Sequence, residues 1–190
     1  MQRTSFLSSE CPAARALESV GDWWSILILR DAFQGLSKFD EFEKNLGISA
    51  NILARRLKHL TAEGLFERRR YNDHPPRFEY VLTDKGRDFY PVAIALFAWG
   101  NRNLAPNEIA MRLGDRATGR ERNAIIVDAD TGEKITPENT VLLAGPAATE
   151  ETMRVINRVK RISSEKGAEQ SNASNCCDRH GFSRPPWFRG

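Results

Sequence analysis

The feature that most constrains this chain is the segment 51–86, where a basic helix pattern leads directly into a hairpin pattern. Its helical part spaces Leu53, Leu57 and Leu60 along one face, as in a buried helical stripe. The basic residues of this helix therefore lie on its remaining surface. A shorter helix, FDEFEKNL, precedes it across a turn at Gly47, and two such helices are typical of a helix-turn-helix.

The hairpin pattern consists of two strand-like runs, 65–71 and 78–82, joined by a loop of Asn, Asp and Pro residues. Phe78, Tyr80 and Leu82 alternate along the second run, which predicts one buried face. A hairpin directly behind a helix-turn-helix forms a wing that can reach the DNA backbone beside the helix. The sequence therefore predicts a mainly α fold with a small antiparallel β-hairpin wing, a winged helix-turn-helix.

Two helices are predicted before this segment, within a domain that spans residues 1–106. Residues 11–20 contain good helix formers, and residues 23–34 are nearly all apolar, so the second helix is expected in the core. The hydroxyl groups of Ser37 and Ser49 are the expected N-terminal caps of the two helices of the helix-turn-helix.

A last helix of the domain is predicted after the wing. Thr83 or Asp84 caps it, it runs to about Leu104, and Pro91 predicts a kink or break. Residues 92–99 are apolar around the whole circumference. A helix that is apolar on every side must pack against other protein surface all round. We expect a second copy of the chain to supply part of that surface.

The remainder is predicted to form a small α+β appendage at 107–166. Residues 123–135 resemble a β-hairpin with an Asp-Thr-Gly turn, and residues 148–163 have the pattern of an amphipathic helix. No internal repeat is evident. The tail at 167–190 is rich in Ser, Asn, Gly and charge and is predicted to be disordered.

The net charge of the chain is small, but its basic residues are concentrated in one segment. The whole chain has a formal net charge of +3. Residues 49–77 alone contain seven basic and three acidic side chains, a local excess of four. A local basic field attracts phosphate even when the overall charge is modest.

The predicted DNA contacts begin at the N-terminal end of the second helix, which usually meets base edges. Arg55 and Arg56 lie one turn later, and either can pair bidentately with guanine. The wing-tip residues of the set given below are expected near a minor groove. The expected phosphate contacts are Lys38, Lys58, Arg68 and Arg69. The alternative is a solvated charged face. The predicted set is Lys38, Ser49, Ala50, Asn51, Arg55, Arg56, Lys58, Arg70, Asn72, His74 and Arg77.

These motifs resemble the HxlR-type family of bacterial winged helix-turn-helix transcription regulators. The resemblance covers roughly residues 11–104 and implies a homodimer that binds a roughly palindromic double-stranded DNA operator, usually as a repressor. Arg56 belongs to the family pattern, in which an internal salt bridge is the alternative to a base contact. The matching motifs are Cys11-Pro12, Gly21-Asp22-Trp23, Leu29-Arg30-Asp31-Ala32, Phe39-Asp40-Glu41-Phe42, Gly47-Ile48-Ser49, Arg56-Leu57, Gly64-Leu65, Glu79-Tyr80, Leu82-Thr83 and Trp99-Gly100.

Other functions were weighed against DNA binding. Cys11 could be a redox sensor, because a helix N-terminus stabilises a thiolate, although a buried apolar role is the alternative. A winged helix can also be a protein-interaction module without DNA binding. The common hydrolase, nucleotide-binding and metalloprotease motifs are absent from the sequence, so no enzyme activity is expected.

No cofactor or metal is predicted. Cys176 and Cys177 lack the C-x-x-C spacing of a zinc site. The N-terminus lacks the apolar core of a signal peptide, and the run 92–99 is too short to span a bilayer, so a cytoplasmic protein without membrane contact is expected. An unknown small-molecule effector could insert between the apolar helices.

Overall fold

The computed structural model describes residues 5–162. The predicted disorder of 167–190 concerns residues outside this range. The described chain divides into two compact units between Lys134 and Ile135, so Pro106 lies inside the first unit. The elements are α1 (Pro12–Val20), α2 (Trp23–Phe33), α3 (Phe39–Leu46), α4 (Ala50–Ala62), β1 (Phe66–Asp73), β2 (Pro76–Leu82), α5 (Asp84–Asp88) and α6 (Tyr90–Arg102). Residues 150–162 form a further helix in the second unit.

Helix α2 lies at the centre of the core, because Ile28 and Leu29 are fully buried. Asp22 begins this helix by accepting a hydrogen bond from the backbone N–H of Ser25, 3.1 Å away. Removing one buried leucine or isoleucine side chain from such a core costs about 2–5 kcal/mol. The other core residues are Val20, Phe42, Ile48, Leu53, Leu57, Leu60, Leu65 and Phe66.

The helix-turn-helix consists of α3 and α4, joined at Gly47, whose φ of +60° is the left-handed conformation that glycine adopts readily. The predicted cap at Ser37 is wrong. Glu41 instead reaches back, and its Oε2 accepts backbone hydrogen bonds from Ser37 at 2.9 Å and Lys38 at 3.0 Å. These bonds lower the pKa of Glu41. Ser49 does occupy the N-cap position of α4, but its hydroxyl makes no capping hydrogen bond.

Strands β1 and β2 form the predicted antiparallel wing, paired from Phe66 with Leu82 out to Asp73 with Pro76. The register shifts between Arg70 and Asn72, so one extra residue lies in β1 at this point. The backbone N–H of Tyr80 donates to the carbonyl of Ser37 at 2.7 Å, which ties the wing to the start of α3. The winged helix-turn-helix fold is therefore confirmed.

The last helix of the sequence prediction is two helices in the structure. Thr83 caps α5, since its hydroxyl oxygen accepts a hydrogen bond from the N–H of Gly86 at 3.0 Å. The chain turns at Phe89, and Pro91 lies in the first turn of α6. The break predicted near this proline is confirmed. No residue of α6 is fully buried, although α6 is strongly apolar.

The sequence-based statement that no repeat is present is wrong on a short scale. Residues 115–119 and 128–132 share the pattern Asp-x-x-Thr-Gly and the same hydrogen bonds. In each copy one carboxylate oxygen accepts three hydrogen bonds, two from backbone N–H groups and one from the Thr hydroxyl. The glycines, Gly119 and Gly132, have φ values of +69° and +71°.

The second copy of this turn lies within the predicted hairpin at 123–135. The turn forms, but the only pairing among its flanks in the described chain is a single bridge between Val127 and Lys134. A two-stranded hairpin without a neighbouring sheet is marginally stable, which explains why regular strands do not form. The predicted α+β appendage is thus a pair of capped turns followed, in the other unit, by the predicted helix.

Candidate nucleic-acid interface

The exposed face of α4 carries the predicted base-contacting residues. Leu53, Leu57 and Leu60 occupy the buried face, so the residues between them point away from the core. Asn51, Arg55 and Lys58 recur at intervals of four and three residues, which aligns them on one side of the helix. In this helix and at its N-cap, the exposed residues from the predicted set are Ser49, Ala50, Asn51, Arg55 and Lys58.

Two cations on this face are free of intramolecular partners. Neither Arg55 nor Lys58 forms an ion pair or a side-chain hydrogen bond within residues 5–162. The first N–H groups of α4 also lack a side-chain cap at Ser49. A helix N-terminus in that state carries partial positive charge and can receive a phosphate oxygen. This end of α4 is therefore suited to an anionic ligand.

Arg56 has a different environment from Arg55. Its Nε lies 3.0 Å from Oδ1 of Asp22, and both side chains are about one-fifth exposed. The N–H of this nitrogen is not directed at the carboxylate, so the contact is an ion pair without a well-formed hydrogen bond. Because the pair holds α4 against the start of α2, we revise our assignment of Arg56 from a base contact to a residue that orients the helix.

A second anchor fixes α4 from the side of α1. The ring nitrogen Nε2 of His59 lies 3.1 Å from the carbonyl oxygen of Ser19. The hydroxyl of the same serine donates to Oε2 of Glu63 at 2.6 Å. These contacts hold α4 against α1, and the Asp22–Arg56 pair holds it against the start of α2. The exposed face of α4 therefore has a fixed orientation.

The tip of the wing is braced by its own side chains. The guanidinium of Arg70 donates to the carbonyl of Asp73 at 3.0 Å and forms an ion pair with its carboxylate at 3.1 Å. The amide of Asn72 donates to the carbonyl of Pro75 at 3.0 Å. Arg70 and Asn72 therefore shape the tip of the wing through contacts within the hairpin.

His74 and Arg77 remain as the exposed polar groups of the predicted wing set. Arg77 stands opposite Asn72 in the strand register, next to the turn. Neither side chain has a hydrogen bond or ion pair in the described part of the chain. They are the wing groups available to an outside partner.

The other wing arginines have partners within the hairpin. Arg68 lies over the ring of Phe78, 3.5 Å from its centroid. Arg69 donates to Glu67 at 2.7 Å, and this hydrogen bond lowers the pKa of Glu67. Together with Arg70, three of the four arginines in the wing thus have partners within the wing itself.

Lys38 lies where α3 meets the wing. Its Nζ is 3.7 Å from a carboxylate oxygen of Glu41 and 5.4 Å from the ring centroid of Tyr71. Tyr71 is exposed and occupies the irregular position of β1, so it is a candidate contact that the sequence did not single out. Alternation along β1 would have predicted its side-chain direction only if the register shift had been known.

Cys11 is an exposed free thiol at the N-cap of α1. It is the one cysteine among residues 5–162; Cys176 and Cys177 lie outside the described chain. In the same part of the chain, His, Cys, Asp and Glu side chains form no group of three suited to a metal ion. No described helix combines the length and hydrophobicity needed to cross a bilayer.

The fold and this exposed helix face define a winged helix-turn-helix protein. The model of the family described as HxlR-like helix-turn-helix matches residues 19–108. An uncharacterized HTH-type transcriptional regulator of Mycobacterium tuberculosis (strain ATCC 25618 / H37Rv) is 38% identical over 133 residues, which are 70% of this chain and 84% of that protein. The chain belongs to the HxlR-like helix-turn-helix family of transcriptional regulators.

Two solved structures resemble most of the described chain. PA1607, a candidate transcription factor, superposes with a TM-score of 0.68 and 38% identity, over 75% of this chain and all of the other. The candidate transcription factor PA1374 from Pseudomonas aeruginosa gives a TM-score of 0.56 and 48% identity, over 76% of this chain and 99% of the other. The similarity therefore extends beyond the residues that the family model matches.

Proposed function

We propose that this chain is a homodimeric transcriptional repressor that binds a roughly palindromic double-stranded DNA operator. The observation that carries the proposal is the exposed face of α4, where Asn51, Arg55 and Lys58 are aligned and have no ion-pair partners among the described residues. Arginine reads guanine in the major groove, asparagine reads adenine, and lysine neutralises phosphate. A winged helix that occupies a promoter blocks other proteins, which supports repression.

The wing supplies the second part of the contact. With α4 in a major groove, His74 and Arg77 extend from the braced tip toward the flanking backbone or minor groove. The remaining wing cations stabilise the hairpin itself. We therefore expect most of the sequence specificity to come from α4, and the wing to add affinity.

The homodimer is supported by apolar surface on α6. Val92, Leu96 and Trp99 are each about half exposed, and their spacing places them on one side of the helix. Leu17 on α1 is also half exposed. Exposed apolar surface of this extent marks an interaction site, and a two-fold dimer would place two copies of α4 about 34 Å apart, in successive major grooves.

The first test is selection of bound sequences from random duplexes, followed by titration of the selected operator at several salt concentrations. We expect a two-fold symmetric motif and a steep fall in affinity with salt, with a slope of about −0.9 per phosphate contacted. A flat salt dependence with no selected motif would instead support the protein-interaction alternative.

A matched pair of variants separates dimerisation from DNA contact. Leu96→Glu puts a charge on the apolar face of α6 and should give monomers in sedimentation velocity. Ala54→Glu puts the same charge on the exposed face of α4 and should leave the dimer intact while abolishing operator binding. Dimers that persist in Leu96→Glu would rule out this face as the interface.

A second candidate adds thiol control to the same regulator. The Cys11 side chain is exposed at the N-cap of α1, where an oxidant can reach it. Treatment with hydrogen peroxide should then change operator affinity in the parent protein but not in Cys11→Ser. An oxidant response that survives this substitution rules out Cys11 as the sensor.

A further inference from the structure

A cavity of about 450 Å³ lies inside the first unit, between the C-terminal half of α6 and the segment 109–125. Its volume is in the range of pockets that hold small organic molecules. Apolar side chains from both walls line it, including Phe97 from α6 and Ile109, Leu113 and Ile125 from the facing segment. None of these residues belongs to the DNA-contacting surface described above.

The wall opposite α6 is held in place by the first Asp-x-x-Thr-Gly turn. A bridge between Gly114 and Glu121 closes this turn, and the residues on either side of the bridge are the ones that reach the cavity. Asp115 joins these contacts, because its carboxylate caps the turn and also forms an ion pair with Arg122. These contacts lower the pKa of Asp115 to about 2, so the carboxylate stays ionised at neutral pH.

Three arginines line the cavity, and two of them have acidic partners. Arg112 pairs with Glu121 at 3.1 Å, and Arg122 pairs with Asp115. Arg102, in the last turn of α6, has no ion pair or hydrogen bond among residues 5–162. A solvent-open cavity with apolar side chains on both walls and one uncompensated guanidinium is suited to a molecule with an apolar body and one negative group, because guanidinium pairs bidentately with carboxylate.

The cavity and the proposed dimer face lie on different sides of α6. Val92, Leu96 and Trp99 follow one stripe of the helix, and Phe97 and Asn101 follow another, turned away from the first by more than a quarter of the circumference. Arg102 lies between the two stripes. Asn101 also ties the helix to the facing segment, because its amide donates to the carbonyl of Met111 at 3.0 Å. A molecule in the cavity would therefore bear on the helix that we assign to dimerisation while leaving the dimer face open.

We propose that this cavity binds a small amphipathic carboxylate, with the carboxylate on Arg102 and the apolar body against Phe97, Leu113 and Ile125. Binding repositions the C-terminal half of α6 and thereby alters operator affinity. This regulatory consequence rests on the proposed function, whereas the binding itself does not. The chemical class follows from the lining: the apolar side chains can pack against an apolar body, and the guanidinium of Arg102 can pair with one negative group.

Isothermal titration calorimetry on the full chain without DNA tests the binding step. Octanoate and benzoate are the probes, and octanamide and benzamide are their uncharged counterparts. We expect saturable binding of at least one acid, and an affinity for its amide that is lower by about five- to tenfold. Absence of saturable binding for both acids would overturn the proposal.

Three variants locate the site. Arg102→Gln should reduce the affinity for the acid to that of the amide. Arg120→Gln, directly after the first Asp-x-x-Thr-Gly turn and outside the cavity lining, should change nothing. Ala98→Phe fills the chamber and should abolish binding of acid and amide alike, with its thermal midpoint recorded to confirm folding. Unchanged binding in Arg102→Gln and Ala98→Phe would overturn the assignment to this cavity.

The regulatory step has a separate readout. Operator affinity measured by fluorescence anisotropy should change in the parent protein at saturating acid and stay constant in Arg102→Gln. If the acid binds in the cavity and operator affinity does not respond, the regulatory part is overturned and the binding site stands. If the chain binds no DNA at all, the calorimetric result is unaffected, and the failure lies in the proposed function.

Discussion

Helix α4 and the β1–β2 wing are both rich in cations, but their cations are used differently. On α4, Arg55 and Lys58 are exposed and unpaired within the described residues. In the wing, Arg68 stacks on an aromatic ring, Arg69 pairs with Glu67, and Arg70 binds the turn that follows it. A similar density of basic residues therefore gives an interaction surface in one element and a self-stabilised scaffold in the other.

The difference has a geometric cause. In a helix with one buried stripe, side chains on the other face have few neighbours except those one turn away, and α4 offers no acid at those positions. In a two-stranded hairpin every residue faces a cross-strand partner, and residues two apart share a face. Basic residues in a hairpin therefore find partners locally, and a count of charges overstates what the wing offers to DNA.

Among truncations of single cations to alanine, the largest effect on DNA binding is expected from Arg55→Ala. A bidentate contact to guanine contributes about 1–3 kcal/mol, which corresponds to roughly a 5- to 150-fold loss of operator affinity. Fluorescence anisotropy at a fixed salt concentration measures it, with Arg120→Ala as a control outside the helix-turn-helix. A loss smaller than twofold would mean that Arg55 does not contact DNA. The proposed difference between the cations of α4 and those of the wing would then fail.

Arg56→Ala sharpens the comparison within α4 itself. Removing the guanidinium leaves Asp22 without its cation at a mostly buried site, so the free energy of unfolding should fall by about 1–3 kcal/mol. Urea denaturation measures the loss, and operator affinity of the folded variant should stay within about threefold. An unchanged urea midpoint together with a tenfold affinity loss would restore Arg56 as a base contact.

Arg77→Ala should have an intermediate effect, because Arg77 is the wing cation that the scaffold does not use. We expect a loss of about three- to tenfold and a reduction of the salt slope by about one, the signature of one phosphate contact. Arg77→Lys retains the charge and should recover most of the affinity. If the lysine variant is as weak as the alanine variant, the contact depends on guanidinium geometry rather than on charge.

Arg69→Ala should have the smallest effect. Its guanidinium is paired with Glu67 on an exposed strand, and solvent screening makes exposed pairs of this kind contribute little to stability. Operator affinity is expected to stay within about twofold of the parent value. A loss as large as that of Arg55→Ala would mean that DNA displaces the pair, and the contrast between helix and wing would fail.

Some elements were predictable because the relevant interactions are local in sequence. The leucine stripe of α4, the cap at Thr83 and the break at Pro91 each depend on residues within one or two turns of each other. The alternation of Phe78, Tyr80 and Leu82 likewise identified β2. In these cases the spacing of the side chains predicts which face is buried, and the structure buries that face.

Other elements were not predictable from local pattern. The cap of α3 is a glutamate that reaches back from inside the helix, although a serine stands at the expected place. The matching Asp-x-x-Thr-Gly turns were missed because five residues with two variable positions are too short to be seen as a repeat without their hydrogen bonds.

The sequence by itself determined the order of elements, the buried stripe of each helix and the segment that carries the basic charge, because these follow from the periodicity of helices and strands. Only the tertiary structure decided which cations are available, since Asp22 is distant from Arg56 along the chain and the tip of the wing closes on its own arginine. It also created the cavity beside Arg102, which depends on a turn packing near α6. Pairing between distant residues has no periodic signature in one sequence, and that pairing separates the binding surface from the scaffold.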